Sequence, residues 1–146
     1  MTNYHLAILK KPYLDAILAG QKLIESRFST AEHPAFGQVH AGDRILLKLS
    51  SGPVCAAATA ASVRNFENLT PQKIIKIKHQ YNHHILGCDK YWHGKMDSKF
   101  GLLIRLKDVE QIEPVRIYKK DRRTWVVLTK QENFGLLKQG VVKKEQ

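Results

Sequence analysis

An α+β fold is expected for this chain, a mixed sheet curled into a small β-barrel with flanking helices, and three features of the sequence point to it. Five or six segments alternate apolar and polar residues at the strand period of two, while two others space their apolar residues as a helix does, each behind a proline suited to a first helical turn. Strands and helices come in mixed order, which favours α+β over a regular βαβ succession. No repeat, low-complexity tract or Pro/Gly-rich linker interrupts the 146 residues, a length that buries one core and leaves little for a second. The expected organisation is one domain over 1–128 and a polar, basic tail over 129–146 that frays.

The elements follow in order. "YHLAIL" at 4–9 is a short buried strand. In "KPYLDAILAG", Pro12 fits the first turn, Leu14, Ile17 and Leu18 share a face, and Gly20 stands where a left-handed residue ends a helix. The chain then enters a strand, with Ile24, Ser26 and Phe28 on one face and Leu23, Glu25 and Arg27 on the other. Residues 29–43 form a loop with turn residues at Pro34, Gly37 and Gly42. "DRILLKLS" is a strand with Ile45, Leu47 and Leu49 inward and Arg44, Leu46 and Lys48 on the opposite face. After a turn at "SGP", the run "VCAAATAASVRNF" at 54–66 makes a long strand: its alanines favour helix, but the turn, Val63 and Phe66 favour strand. Small side chains there let another backbone or a ligand come close. Thr70 caps a second helix with Pro71 at its start and Ile74, Ile77, Tyr81 and Ile85 as its apolar stripe. Residues 87–99 are a loop or short helix. "FGLLIRLKDVEQI" returns to strand alternation, and "EPVRIYKKDRRTWVVL" adds one or two strands around a basic turn.

Composition narrows the function. Lysine and arginine number 24 against 13 acids, a formal charge of +11, which favours a polyanionic partner, above all nucleic acid. No segment approaches the roughly 20 apolar residues that span a bilayer, and the early "LAIL" is too short for a secretory signal, so no membrane partner is expected. Cys55 and Cys88 form no disulfide pattern, which fits a reducing compartment and a cytoplasmic protein. The sequence carries neither a Gly-rich phosphate loop nor a Ser/His/Asp signature. His79 and His83 have metal-ligand spacing, with His84 and Cys88 close by, yet no second ligand pair accompanies them; neither a metal nor a cofactor is expected.

The stretch "GQKLIESRF" at 20–28 sets a lysine, a glutamate and an arginine beside apolar residues, charge that a strand filling only a core would not need. Glu25 and Arg27 lie about 6.6 Å apart along one strand face and can pair or converge on a ligand. Strict alternation puts Lys22 on the other face, so it joins them only if the turn after Gly20 redirects it. "ILAGQKLIESRF" is similar to the signature of the ASCH family, the activating-signal-cointegrator homology domains, in which a helix ends in Gly-x-Lys followed by x-x-Glu-x-Arg. "GQVHAGDRILLK" resembles the family's second block, a Gly-Asp turn leading into a strand, and the likeness extends through "SGPVCAAATAASV", "YW" at 91–92 and "LLIRL", over about residues 5–128.

The resemblance implies a PUA-like small mixed β-barrel with a cleft over the barrel face, in a superfamily associated with RNA binding and RNA modification. It assigns the family's lysine, acid and arginine to Lys22, Glu25 and Arg27. Some small bacterial members are amidohydrolases of an acylated cytidine that use a Lys, a Thr nucleophile and a distant Glu; Glu25 occupies the Thr position here, and a carboxylate cannot stand in for a hydroxyl nucleophile without a change of mechanism. Others resemble ribonucleases, for which Tyr91, Lys95 and Ser98 are the candidates. The expectation is an ASCH-type protein that binds single-stranded RNA or a modified nucleotide, with Lys10, Lys22, Arg27 and Lys48 toward phosphates or base edges and Tyr13 or Trp92 as stacking surfaces. The alternative is an enzyme, a ribonuclease or an amidohydrolase of a modified nucleoside, in which Lys22 and Glu25 perform the acid–base work. The oligomeric state stays open. "KKDRRTW" at 119–125 and Lys73, Lys76 and Lys78 extend the positive charge beyond one cleft.

Overall fold

The computed structural model describes residues 2–117 and 122–129. Among these residues six strands form one mixed sheet: β1 (Tyr4–Leu9), β2 (Ile24–Ser29), β3 (Arg44–Leu49), β4 (Val54–Phe66), β5 (Phe100–Val115) and β6 (Trp125–Val127). Their spatial order is β2-β5-β4-β3-β1-β6, antiparallel throughout except for the parallel pair β1 and β3. That parallel pair needs a crossover, and helix α1 (Lys11–Leu18) with β2 and the following loop supply it. Helix α2 (Pro71–Ile85) and the short α3 (Asp89–His93) lie between β4 and β5.

The sheet curls into a half-barrel because β4 and β5 are long and irregularly paired. Their register slips at three places, between Val54 and Ala56, Ala57 and Thr59, and Ala60 and Ser62, and each slip bends the ladder. The alanines of β4 go into strand despite their helical preference because both faces of the sheet are covered: Ala56, Ala58 and Ala60 face the interior of the curl, and Ala57 faces the other side. The interior is filled by Ala7, Leu9, Ile45, Leu47, Leu102, Ile104 and Trp125, and α1 closes it with Leu14 and Ile17, each contributing about 1.5–3 kcal/mol by burial.

The outer face carries two further cores. Ile24, Phe28 and Leu103 pack under α2 and α3, and Leu6, Leu46, Val54 and Val126 pack with Ile117 and Leu128. The second of these corrects the expectation for Leu46, which the alternation placed away from the core: it is fully buried, because Ile117, Val126 and Leu128 pack over that face. Thr70 accepts from the Lys73 N–H as the cap of α2, and α2 ends at Leu86 in the left-handed region. Residues 119–121 of the basic cluster expected at 119–125, and the expected tail beyond Thr129, lie outside the described residues. Thr129 itself is held, its hydroxyl 2.9 Å from Asn3 Oδ1.

Candidate functional site

A half-barrel has a seam where its outer strands fail to meet, and the cleft lies there. β2 is one outer strand, and the other side of the seam is formed by the end of β1 and the residue preceding β6. Arg27 on β2 crosses it: Nη2 donates to the Ile8 carbonyl at 3.1 Å and Nη1 to the Thr124 carbonyl at 3.4 Å. The guanidinium also lies over the Trp125 ring, 5.3 Å from its centroid.

The turn after α1 decides the position of Lys22. Gly20 adopts φ +77°, which only glycine takes without strain, and the Lys22 N–H returns to the Ala16 carbonyl at 3.0 Å. Lys22 thus precedes the strand and escapes its alternation. Its Nζ donates to the Ile85 carbonyl at the end of α2, 2.6 Å away, and lies 3.7 Å from Glu25 Oε1. Glu25 Oε1 accepts from the Ser26 N–H at 3.0 Å, and Oε2 pairs with Arg27 Nη2 at 3.2 Å. Lys22 is 3% exposed and Glu25 6%, so the turn does bring Lys22, Glu25 and Arg27 together in a sheltered site. Burial lowers the pKa of Lys22, Glu25 raises it in part, and the Arg27 charge lowers it again.

Around this trio the cleft encloses about 370 Å³, within the range of small-molecule sites. Tyr13 forms one wall, its ring under Lys22 Nζ at 5.4 Å. Tyr91 forms another, edge-on to Tyr13 and hydrogen-bonded through its hydroxyl to Ser26 Oγ at 2.7 Å; burial raises its pKa. His33 reaches in from the loop before β3. Its Nδ1 accepts from the Ala35 N–H at 3.0 Å, so the neutral ring carries its proton on Nε2 as a donor. Burial first, then the Arg27 charge, push His33 down to about 4. Lys10 and Lys95 also line the cleft, and Lys95 Nζ sits 5.3 Å from the Tyr91 ring centroid.

A buried network supports the floor. Asp43 is 3% exposed and accepts from the backbone N–H of Asn3 at 3.1 Å and of His40 at 2.9 Å, and from His5 Nε2 at 2.9 Å. The Trp125 indole N–H can only donate, and it donates to His5 Nδ1 at 3.1 Å, which leaves the His5 proton on Nε2 facing Asp43. The Gly-Asp turn of the sequence is thus a clamp joining β1, β3 and the ring on which Arg27 rests.

Three sequence candidates fall elsewhere. Trp92 does not offer a stacking surface: it is 1% exposed, packs on Phe28, and donates from Nε1 to Asn82 Oδ1 at 2.9 Å. Ser98 is 4% exposed and does not line the cleft, and its N–H closes the turn after α3 on the Lys95 carbonyl. Lys48 also does not line it; its ammonium folds back on the Leu49 carbonyl at 3.0 Å. His33 and Ser26 also line the cleft without a signal in the sequence: His33 lies in a loop with no pattern, and Ser26 belongs to the strand face opposite Glu25. Among the described residues, no three His, Cys, Asp or Glu side chains converge as metal ligands, and no helix is long and apolar enough to cross a membrane.

No family model matches the chain, and no curated protein matches it in sequence. Among solved structures it is similar to the ASCH protein of Zymomonas mobilis, with a TM-score of 0.65 at 15% identity over 92% of each chain. Two single-residue variants of that protein give TM-scores of 0.67 and 0.65, at 15% and 16% identity, over 92% of this chain and 96% and 94% of theirs. At such identities the likeness is one of fold: the α+β half-barrel described above is the architecture of ASCH proteins.

Proposed function

We propose that this chain, built on the ASCH fold, is a cytoplasmic RNA-binding protein that takes single-stranded RNA or a modified nucleotide into the cleft at its seam. The observation that carries the reading is the set of buried Lys22 and Glu25 with partly buried Arg27 beside an aromatic wall. Placing ions where water is excluded is costly unless they are paired, and this set is paired internally while still facing a cavity of ligand size. A base entering it would stack on Tyr13 or Tyr91. Its exocyclic amino group would donate to Glu25, and its ring or carbonyl acceptors would meet Lys22, Arg27 or His33. The overall charge of +11 supports a polymer partner, steering a polyanion toward the cleft. Fluorescence titration of a short single-stranded RNA at low and high salt tests the reading: affinity should fall steeply with salt and drop at least about tenfold in Lys22→Ala. Affinity indifferent to both would overturn it.

One observation favours catalysis in the same cleft. Burial lowers the pKa of Lys22 against the opposing pull of Glu25, a shift in the direction of a general base, and the hydroxyls of Ser26 and Tyr91 lie within the same lining. The reaction would be RNA cleavage or hydrolysis of a modified nucleoside. Incubation of RNA, and of an acylated cytidine, with wild type and Lys22→Ala distinguishes this reading: Lys22-dependent product supports an enzyme, and binding without product supports the binding protein.

A further inference from the structure

We infer that the mouth of the cleft, at Lys10 and Lys95, is a phosphomonoester subsite, so that the preferred ligand is a nucleotide or an RNA end bearing a terminal phosphate. The inference rests on the nucleic-acid reading of the cleft and adds to it the chemical group that is recognised.

The charge balance of the lining motivates it. Among the described residues, Lys10, Lys22, Arg27 and Lys95 face the cleft against a single carboxylate, Glu25. Both oxygens of Glu25 are already committed, one to the Ser26 N–H with Lys22 nearby and the other to Arg27. Among the described residues neither Lys10 nor Lys95 has a carboxylate partner. Lys95 is nevertheless half-buried, over the Tyr91 ring. Burial first, and then the charges of Arg27 and Lys10, hold its pKa below the ordinary lysine value. An ammonium held in a sheltered place against two like charges is a cost that an anion between them reverses.

The stoichiometry selects the anion. An internal phosphodiester carries one negative charge, whereas a phosphomonoester carries about −1.5 to −2 at neutral pH, with three terminal oxygens to accept. Two lysines without counter-ions among the described residues match the second, beside an Arg27 that is already paired with Glu25. The deeper part of the cleft, between Tyr13, Glu25 and Tyr91, is then left for the base and sugar.

Isothermal titration with cytidine, cytidine 5′-monophosphate, cytidine 3′-monophosphate, ribose 5-phosphate and a short RNA with and without a terminal phosphate tests the inference. The phosphorylated member of at least one pair should bind about tenfold or more tightly than its unphosphorylated counterpart, the worth of a charge-assisted hydrogen bond. That ratio should collapse to within about threefold in Lys95→Gln, be largely kept in Lys95→Arg, and be unaffected in Lys107→Gln, which removes a charge from the exposed part of β5. Equal affinity for phosphorylated and unphosphorylated ligands, or a ratio unchanged in Lys95→Gln, would overturn the subsite while leaving the nucleic-acid reading intact. Lys95-dependent binding of ribose 5-phosphate with no advantage for nucleotides or RNA would support the subsite and refute the nucleic-acid reading.

Discussion

Glu25→Gln is the perturbation that most directly probes the buried charges. Glu25 has Lys22 Nζ at 3.7 Å and Arg27 Nη2 at 3.2 Å. At an effective dielectric of about 20 these separations correspond to about 4 and about 5 kcal/mol of gross attraction, most of it offset by the desolvation of the three ions. Removing one member leaves buried cations without a counter-ion, and the substitution is expected to cost about 3–5 kcal/mol of unfolding free energy at neutral pH. The pH dependence identifies the cause. Lys22 has a folded-state pKa below its ordinary value of 10.5, and losing Glu25 lowers it further, because Glu25 is what raises it. Between the folded and unfolded values the unfolded chain binds more protons, so stability rises with pH through that window. The window opens at lower pH in the variant. The deficit should therefore shrink as pH rises from 7 toward 10.5. Urea denaturation at a series of pH values measures it. A deficit below about 1 kcal/mol at neutral pH, or one that stays constant up to pH 10, would refute the charge argument, since a change of packing alone carries no proton linkage.

Other outcomes follow from the same geometry. A Cβ at Gly87 would sit 2.7 Å from the Tyr91 ring and 2.8 Å from Trp92 Nε1, so Gly87→Ala should cost about 1–3 kcal/mol in thermal unfolding and weaken ligand binding by displacing the Tyr91 wall. Trp125→Phe deletes the donor to His5 Nδ1 and leaves that buried acceptor unpaired, which should cost about 1–3 kcal/mol, while nitrogen NMR of the imidazole should still show the proton on Nε2, where the Asp43 carboxylate holds it. His33, with a pKa of about 4 against 6.5 unfolded, should keep a neutral-ring proton spectrum from pH 8 down to 5, and its contribution to stability should decline as pH falls from 6.5 toward 4, where the unfolded chain takes up the proton first. A ring that titrates near 6.5 in the folded protein would place His33 in open solvent instead.

What the sequence revealed of this molecule was what is decided locally. Pro12 and Gly20 bound α1 through backbone conformation alone, and Thr70 with Pro71 opens α2 in the same way. Glu25 and Arg27 share a face because strand alternation is a property of two neighbouring residues. The charge-rich stretch also identified Lys22, but only the trajectory of the turn could bring it to Glu25. Contacts made by distant segments were not legible. Leu46 is buried because Ile117 and Leu128 return over its face, and Trp92 turns inward because Asn82, one helix away, accepts from its indole. Its neighbour Tyr91 took the place at the cleft, an exchange set by the rotation of a five-residue helix that carries no periodicity of its own. His33 had no signal at all: its role comes from a loop laid against Trp125 and Arg27.

The Arg27 bridge has a consequence for self-association. A curled sheet left unclosed presents raw strand edges, and such edges recruit strands from other molecules unless something blunts them. Here one guanidinium, anchored to two carbonyls on the opposite bank, spans the open side of β2 where no ladder bonds join it to another strand of the described sheet. Arg27→Ala is therefore expected to alter the lining of the cleft and the exposure of the β2 edge together.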